Sequence, residues 1–397
     1  MQLRYSYRLY PAPGQRAALA CAFGCARVVF NDALGARREA YAAGLPYITD
    51  AELSARLTRA KATPERAWLG EVSAVVLQQA LADLNAAFRS FFASATGKRK
   101  GPKIGPPRFR SRKDARQAIR FTRNAHFQVT SGGKLRLPKI GDVPVRWSRP
   151  LPSEPSSVTV IKDSAGRYFA SFVVCARPDA LPERDAMIGV DLGLTHFVVL
   201  SDGRKIASPR FLRRAEKKLK RAQRNLSRKQ KGSKNQYKAR VKFARRHARV
   251  ADARREFCHQ LSTKLIRDNQ AIAVEDLAVK ALARTRLAKS IYDAGWSAFV
   301  RMLEYKALLY GREFRRIGRF EPTSRVCSAC GAKGATKPLY VRTWQCQGCG
   351  TWLDRDINAA INVARAAGLA VSACGARVRP GVVPALRSEA GTLRGTA

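Results

Sequence analysis

The chain has 397 residues, of which 46% are apolar, so it is long enough to form two or three domains with buried cores. Lysine and arginine number 75 against 29 acidic residues, which gives a formal net charge of +46. A positive excess of this size is typical of proteins that bind nucleic acid. It is not typical of an ordinary metabolic enzyme, whose net charge is close to neutral. The sequence shows neither a secretory signal nor an apolar run near the roughly 18 residues of a spanning helix. We therefore expect a cytoplasmic protein that does not contact a membrane.

The first part of the chain combines one short strand with a long helical block. Alternating apolar and polar residues predict a strand over residues 3 to 10. Within residues 15 to 92, apolar residues recur at steps of four and three from Leu77 onward, which is the pattern of one buried helix face. Thr49 and Glu52 have the spacing of a capping box and predict a helix start.

A basic loop and several short strands follow the helical block. Residues 97 to 113 mix glycine and proline with dense positive charge and predict a loop, in which Lys98, Arg99 and Lys100 are candidate nucleic-acid contacts. Short strands are predicted over residues 127–129, 135–137, 158–160 and 168–174. Their spacing favours a small β-barrel or sheet. The strand at residues 3 to 10 is expected to rejoin it, which would make the helical block an insertion.

A second unit with alternating strands and helices is predicted from about residue 186. Strands are expected at residues 188–193, 197–200, 205–206 and 271–275, and an amphipathic helix from Trp296 to Tyr310. This alternation is typical of α/β folds. Beyond residue 374 the sequence loses any period, and we expect little order there.

Four cysteines form two close pairs, Cys327-Ser-Ala-Cys330 and Cys346-Gln-Gly-Cys349, separated by fifteen residues. This spacing allows four thiolates to converge on one tetrahedral Zn²⁺, and Gly331 and Gly350 permit the turn after each pair. Four unrelated thiols are the alternative. Because cysteines would fill every position, the ion is expected to be structural rather than catalytic.

The other five cysteines have no such spacing, and a disulfide scaffold is not expected in a chain of this length. We interpret them as small buried apolar residues in a reducing compartment: Cys21, Cys25, Cys175, Cys258 and Cys374.

Three carboxylates far apart in the chain stand in unusual positions. Asp191 lies within an apolar strand, Glu275 ends another, and Asp356 lies where a helix begins. A carboxylate buried in apolar surroundings requires a cation or a hydrogen-bond network. Simpler roles remain open, since Asp354 or Asp356 could be a helix N-cap and Asp276 could cap a helix after the second strand.

Three oxygen ligands suit two Mg²⁺ or Mn²⁺ ions, which bind few protein groups and complete their coordination with water and phosphate oxygens. Two such ions support phosphodiester hydrolysis without a serine, cysteine or histidine nucleophile. The chain has only four histidines, and none lies in a triad setting.

Residues 210 to 249 contain 18 lysines or arginines and one acid, Glu216, and predict a basic helical hairpin. A helix kept soluble by charge would normally mix signs at neighbouring turns. Phosphate is therefore the expected counterion. The candidate contacts are Lys217, Lys218, Lys220, Arg221 and Arg224.

The motifs together resemble the OrfB or TnpB proteins of bacterial insertion sequences, relatives of the type V CRISPR effectors. The likeness spans almost the whole chain. It is carried by Tyr10-Pro-Ala-Pro-Gly-Gln15, Phe23-Gly-Cys-Ala-Arg27, Leu77-Gln-Gln-Ala-Leu-Ala-Asp-Leu84, Pro107-Arg-Phe-Arg110, Gly189-Val-Asp-Leu-Gly193, Val274-Glu-Asp-Leu277, Thr323-Ser-Arg-Val-Cys-Ser-Ala-Cys-Gly331 and Asp354-Arg-Asp-Ile-Asn-Ala-Ala360.

The resemblance implies an α/β multidomain protein with a RuvC-like nuclease domain of RNase H type, whose catalytic acids would be Asp191, Glu275 and Asp356. The implied divisions are a wedge domain at 1–14 and 96–182, a helical recognition lobe at 15–95, nuclease parts at 183–322 and 352–374, a target-binding zinc ribbon at 323–351, and a disordered tail at 375–397.

The implied activity is RNA-guided DNA cleavage next to a short adjacent motif in a bacterial, nucleoid-associated protein. The guide RNA would derive from the transposon end, and double-stranded DNA would be the target, with sequence read by base pairing. Two alternatives remain open at this point: a nuclease-inactive repressor that binds nucleic acid, and a transposase acting directly in strand transfer.

Overall fold

A computed structural model of the chain describes residues 1–114, 116–338 and 340–369. The described residues form two compact units. The first contains residues 1–177 and 240–245, and the second contains residues 178–239 and those from 246 onward. The predicted tail at 375–397 and Cys374 lie outside the described residues.

Three helices of the first unit pack beside its sheet: α1, Pro13–Ala42; α2, Asp50–Ala62; and α3, Ala74–Ala95. The hydroxyl of Thr49 accepts from the backbone N–H of Glu52, so the predicted N-cap is present. On α3, Leu77, Leu81 and Leu84 are buried, as their spacing predicts. These helices share a core with the sheet.

Seven strands form one antiparallel sheet: β1, Gln2–Leu9; β2, Gln117–Thr122; β3, Gln128–Val129; β4, Lys134–Leu137; β5, Gly141–Arg146; β6, Ser157–Lys162; and β7, Tyr168–Cys175. Their order is β2-β6-β7-β1-β5-β4-β3. The first strand pairs with β7 and β5, which confirms that it rejoins the later strands around the helices. Closure of this sheet into a barrel stays a prediction.

Strands β2 and β5 are absent from the sequence-based prediction. Pro144 explains the omission of β5, because a proline within a run argues against a strand. Its carbonyl nevertheless accepts from Tyr10 N–H, so the position is compatible with pairing. No regular element lies between α3 and β2 among the described residues, which agrees with the predicted basic loop at 97–113.

Helix α1 corrects the statement that no apolar stretch reaches spanning length. By length and composition alone, it is the one helix in the described part of the chain that could cross a membrane. Half of its most apolar window is buried inside the protein. Leu19, Phe23 and Phe30 are among the buried residues, so the apolar composition of α1 serves the core of the first unit.

The second unit is built on a five-stranded mixed sheet: β8, Met187–Asp191; β9, His196–Leu200; β10, Lys205–Ala207; β11, Ala271–Glu275; and β12, Glu313–Ile317. The order is β10-β9-β8-β11-β12. Strands β8, β11 and β12 are parallel, while β9 and β10 form the predicted antiparallel hairpin. The α/β architecture expected from the sequence is therefore present.

Six helices of the described residues belong wholly or mainly to the second unit: α4, Phe211–Ser227; α5, Lys234–Asp268; α6, Val279–Leu282; α7, Ala288–Ala294; α8, Trp296–Leu309; and α9, Arg355–Ala366. Residues 240–245 of α5 belong to the first unit. Gly232 lies in the break between α4 and α5, as the predicted helical hairpin over residues 210 to 249 requires. Helix α5 continues well past the predicted end of the basic hairpin at 249. The helix continues because its second half packs in the core, where Val250, Cys258 and Leu265 are buried. Its first half is the exposed basic segment.

The prediction that the cysteines outside the two close pairs are buried is correct for some of them and wrong for others. Cys25 and Cys258 are buried, whereas Cys21 and Cys175 are exposed. Cys175 ends strand β7, where the outward position of the pleat leaves its thiol in solvent. Cys21 lies one helical turn before Cys25, on the outer side of α1.

Candidate active site and metal centre

Two of the three predicted acids lie at one edge of the second sheet. Strands β8 and β11 are parallel neighbours, and Val190 is opposite Val274. Asp191 and Glu275 are the next residues of each strand and end these elements. Because the carboxyl ends of parallel strands meet at the same sheet edge, the fold brings these two carboxylates to one place.

Helix α9 carries the third acid to the same edge. It lies across β8, where Gly189 makes the approach possible. A Cβ at Gly189 would stand only 2.0 Å from the carbonyl oxygen of Ala360 and 2.8 Å from the backbone nitrogen of Ala364. A side chain at this position would therefore push α9, with Asp356 in its first turn, away from Asp191.

The structure separates the two acids that could have capped α9. Asp354 is the N-cap, and its side chain accepts from the backbone N–H groups of Asp356 and Ile357. Its other oxygen pairs with Lys205 at 2.5 Å. Asp356 is free of the capping role. After the other strand, Asp276 pairs with Arg319 instead of capping a helix.

The electrostatics of Asp191 depend on both partner acids. Burial, which is the largest cause, and the negative charges of Glu275 and Asp356 together raise the pKa of Asp191 to about 7. Burial, with Asp276 beside it, also raises the pKa of Glu275. A carboxylate that is destabilised by its neighbours in this way is stabilised by a cation, so the donor set fits a hard divalent ion.

The three carboxylates are less closely gathered than the four thiols. Within the described ranges, the cysteine quartet is the only group of three or more potential ligands whose atoms all lie within 4.8 Å. Asp356 is turned toward Arg342, whose guanidinium contacts its two carboxylate oxygens at 3.1 and 3.4 Å. The Asp356 carboxylate is therefore engaged by a cationic side chain outside the three acids.

The cysteine quartet joins two similar turns. Sγ of Cys327 lies 3.8 Å from Sγ of Cys349, and Sγ of Cys330 lies 3.6 Å from Sγ of Cys346. In each turn, the glycine after the second cysteine donates its N–H to the carbonyl of the first. Gly331 and Gly350 have φ values of +79° and +69°, as the sequence predicts. The quartet could hold a zinc ion.

Local donors prepare the second cysteine pair for metal binding. Backbone N–H groups of Cys349 and Gly348 lower the pKa of Cys346. Hydrogen bonding with Thr351 lowers the pKa of Cys349 to about 6. Since the thiolate is the ligand form, these shifts favour metal binding at neutral pH. The short strands β13, Thr343–Gln345, and β14, Trp352–Asp354, hold this pair in place.

The candidate nucleic-acid contacts are all at the surface. Those on α4 are exposed around the buried residues Leu219 and Ala222. Lys220 is paired with Glu216 at 3.0 Å, and the second oxygen of Glu216 pairs with Lys289. Lys98, Arg99 and Lys100 are exposed after the end of α3. The structure is compatible with phosphate binding at these positions, and their role stays a prediction.

Four residues near the site were missed by reasoning from the sequence. They are Gly189, Arg342, Asn358 and Asn362. Gly189 and Asn358 lie inside motifs that were identified, but nothing in the motifs marks a glycine as a packing contact or an asparagine as buried. Arg342 carries no recognisable local signal.

Family models match three stretches of the chain. Residues 171–286 match a model described as probable transposase (OrfB), and residues 296–363 match one described as a Cas12f1-like TNB domain. Residues 1–45 match a model described as a helix-turn-helix domain. Over that last range the structure has strand β1 followed by one long helix, α1.

Two named relatives match nearly the whole chain. The protein named "Putative RNA-guided DNA endonuclease" from Streptomyces pristinaespiralis is 45% identical over 380 residues, covering 95% of this chain and 92% of its own. The one named "Putative RNA-guided DNA endonuclease InsQ" from Escherichia coli K12 is 31% identical over 394 residues, covering 95% of each.

Solved structures share the fold at low sequence identity. A Cas12f1 complex with single guide RNA and target DNA has a TM-score of 0.52 at 15% identity, over 88% of this chain and 82% of that protein. The mini-RNA-guided endonuclease CRISPR-Cas_phi3 has a TM-score of 0.53 at 10% identity, over 92% of each chain.

Proposed function

Because the chain belongs to the OrfB and TnpB family, we propose that it is an RNA-guided DNA endonuclease. The guide would be an RNA from the transposon end, and the substrate would be double-stranded DNA that pairs with it beside a short adjacent motif. Binding to chromosomal DNA would associate the protein with the nucleoid. Names of the near full-length relatives and the excess of basic residues support this proposal.

The catalytic centre is proposed to be RuvC-like, with Asp191, Glu275 and Asp356 holding two Mg²⁺ or Mn²⁺ ions. The observation that carries this assignment is geometric: Asp191 and Glu275 end neighbouring parallel strands, and α9, with Asp356 in its first turn, packs on β8 at Gly189. When bound, such ions lower the pKa of the attacking water and stabilise the departing 3′ oxygen. The chain's own contribution is to fix the three carboxylates on rigid elements.

Each part of the nucleic-acid interface has a proposed position. The seven-stranded sheet corresponds to the wedge, α1 to α3 to the recognition lobe, and residues 323–351 to a zinc-stabilised, target-binding insert. The exposed basic residues of α4 would contact phosphates, which positions the nucleic acid without reading its sequence.

Alanine substitution at the three acids tests the assignment. We expect Asp191→Ala, Glu275→Ala and Asp356→Ala each to abolish Mg²⁺-dependent cleavage of guide-matched DNA, while guide RNA binding persists, because each variant removes one oxygen ligand from the ions. Cleavage by the purified RNA complex is followed on labelled DNA, with binding measured in parallel.

Asp276→Asn is the matched control, since it removes an exposed acid next to Glu275 that pairs with Arg319. It should keep substantial activity. Unchanged cleavage by Asp191→Ala would remove the nuclease assignment. Strand transfer on transposon ends in the absence of RNA would instead support a transposase.

A further inference from the structure

Two buried asparagines join the cysteine quartet to the helix that carries Asp356. Asn358 and Asn362 are one turn apart on α9 and are 1% and 7% exposed. We call these two side chains, with the backbone groups of Thr323, Val326 and Ser328 that they bond, the asparagine clamp. Ser328 lies between Cys327 and Cys330, so the clamp ends at the first cysteine pair.

Every polar contact of the clamp joins a side chain of α9 to the backbone around the first cysteine pair. The amide group of Asn358 donates to the carbonyls of Val326 at 2.8 Å and Thr323 at 3.3 Å. Its oxygen accepts from the Ser328 N–H at 2.8 Å. The amide group of Asn362 donates to the carbonyls of Thr323 at 2.8 Å and Val326 at 2.6 Å.

The segment between the two cysteine pairs holds the first turn of α9. The backbone N–H of Arg355 donates to the carbonyl of Arg342 at 2.8 Å. The Arg355 guanidinium bonds the carbonyls of Pro338 at 2.7 Å and Lys337 at 3.3 Å. Asp356 is therefore held between contacts that come from the first cysteine pair and contacts that come from the segment between the two pairs.

We propose that Asn358 and Asn362 are positioning residues that couple the folding of the cysteine loop to the placement of Asp356. Structural zinc supplies folding free energy to small cysteine loops. When the loop unfolds, both buried amides lose their partners, and an unpaired buried amide is costly. The start of α9 then relaxes, and Asp356, two residues before Asn358, moves with it.

This inference rests on the proposed function for its catalytic consequence, but the coupling itself can be measured without any cleavage. Hydrogen exchange of the full chain is followed at the amides of α9, with and without a zinc chelator. In the unsubstituted protein, chelation should raise exchange over residues 355–366. In Asn358→Ala/Asn362→Ala, exchange there should already be raised with zinc present and should respond little to chelation.

Cleavage supplies the second measurement. The Mg²⁺ concentration for half-maximal cleavage should rise roughly 10- to 100-fold in Asn362→Ala, with recovery at high Mg²⁺, because the third carboxylate is displaced rather than removed. Gln260→Ala is the control, since its exposed amide donates to the carboxylate of Glu256 within α5, outside the insert and α9. It should leave both readouts unchanged.

Exchange over α9 that does not change when the unsubstituted protein loses zinc would overturn the coupling, even if the double variant fails to fold. If the Mg²⁺ concentration for half-maximal cleavage is unchanged in Asn362→Ala, the positioning role is overturned. Neither result would affect the proposed nuclease, which fails only if Asp191→Ala still cleaves.

Discussion

At the scale of single residues, chemical type and local pattern singled out Asp191 and Glu275 as candidate metal-binding acids. Each follows an apolar run in which an unpaired carboxylate would be unfavourable, and both lie at the same sheet edge in the structure. The sequence favoured Asp356 as the third acid but left open whether Asp354 or Asp356 is the helix N-cap. Both begin the same helix, and only their hydrogen bonds show that Asp354 is the cap.

Gly189 is the residue whose role was least visible in the sequence, and it gives a sharp prediction. Gly189→Ala should destabilise the second unit by about 1–3 kcal/mol and reduce cleavage, because the new methyl group collides with the backbone of α9. Denaturant unfolding and cleavage assays would measure the two effects.

Gly318→Ala is the control for that substitution. The nearest atoms to its added Cβ belong to the side chain of Glu321 at 3.8 Å, which is ordinary contact. It should therefore have little effect on stability. Equal stability of Gly189→Ala and the unsubstituted protein would show that α9 does not require this close approach.

At the scale of elements, periodicity located α8 and strands β8, β9 and β11, because each buries a clear apolar face or run. Periodicity did not locate the elements whose position depends on tertiary packing. Strand β5 contains a proline, and α5 changes from an exposed basic helix to a buried one without any break in the chain. Neither could be read from local pattern alone.

Helix α4 presents an exposed basic face, formed by Lys217, Lys218, Arg221 and Arg224. Replacing all four with glutamine should weaken guide RNA or DNA binding and reduce the slope of log affinity against log salt by about 3, since each phosphate contact contributes roughly 0.7–0.9. Binding titrations over a range of salt concentrations measure this slope.

Lys220→Gln provides a comparison on the same helix. Its ammonium is already paired with Glu216, so its loss should change the slope by less than the average of the four. A slope that is the same in the fourfold variant and the unsubstituted protein would place the phosphate contacts elsewhere on the surface.

At the scale of the whole molecule, the sequence predicted the return of the first strand to the later strands and the alternation of the second unit. The two units have separate apolar cores. Burial of α1 in the first core could not be derived from composition, because a core helix and a spanning helix have similar hydropathy. Only the packing of Leu19 and Phe30 distinguishes them.

The separate cores predict separate responses to metal removal. Zinc chelation should lower the melting temperature of the second unit by at least roughly 5 °C, because it removes a source of folding free energy there, and should leave that of the first unit unchanged. Calorimetry of the full chain, with each transition assigned by hydrogen exchange, measures both. Equal shifts in the two units would contradict this expectation.

The path of the insert has a consequence for how this protein can diversify. Thr323, where the insert begins, bonds to side chains of α9, and Asp354, three residues after the insert ends at 351, caps the same helix. The chain therefore enters and leaves the insert at one place, beside the start of α9. An insert whose two ends lie this close together can change in length without moving the rest of the second unit, provided that Asn358 and Asn362 keep their contacts with the residues around Thr323.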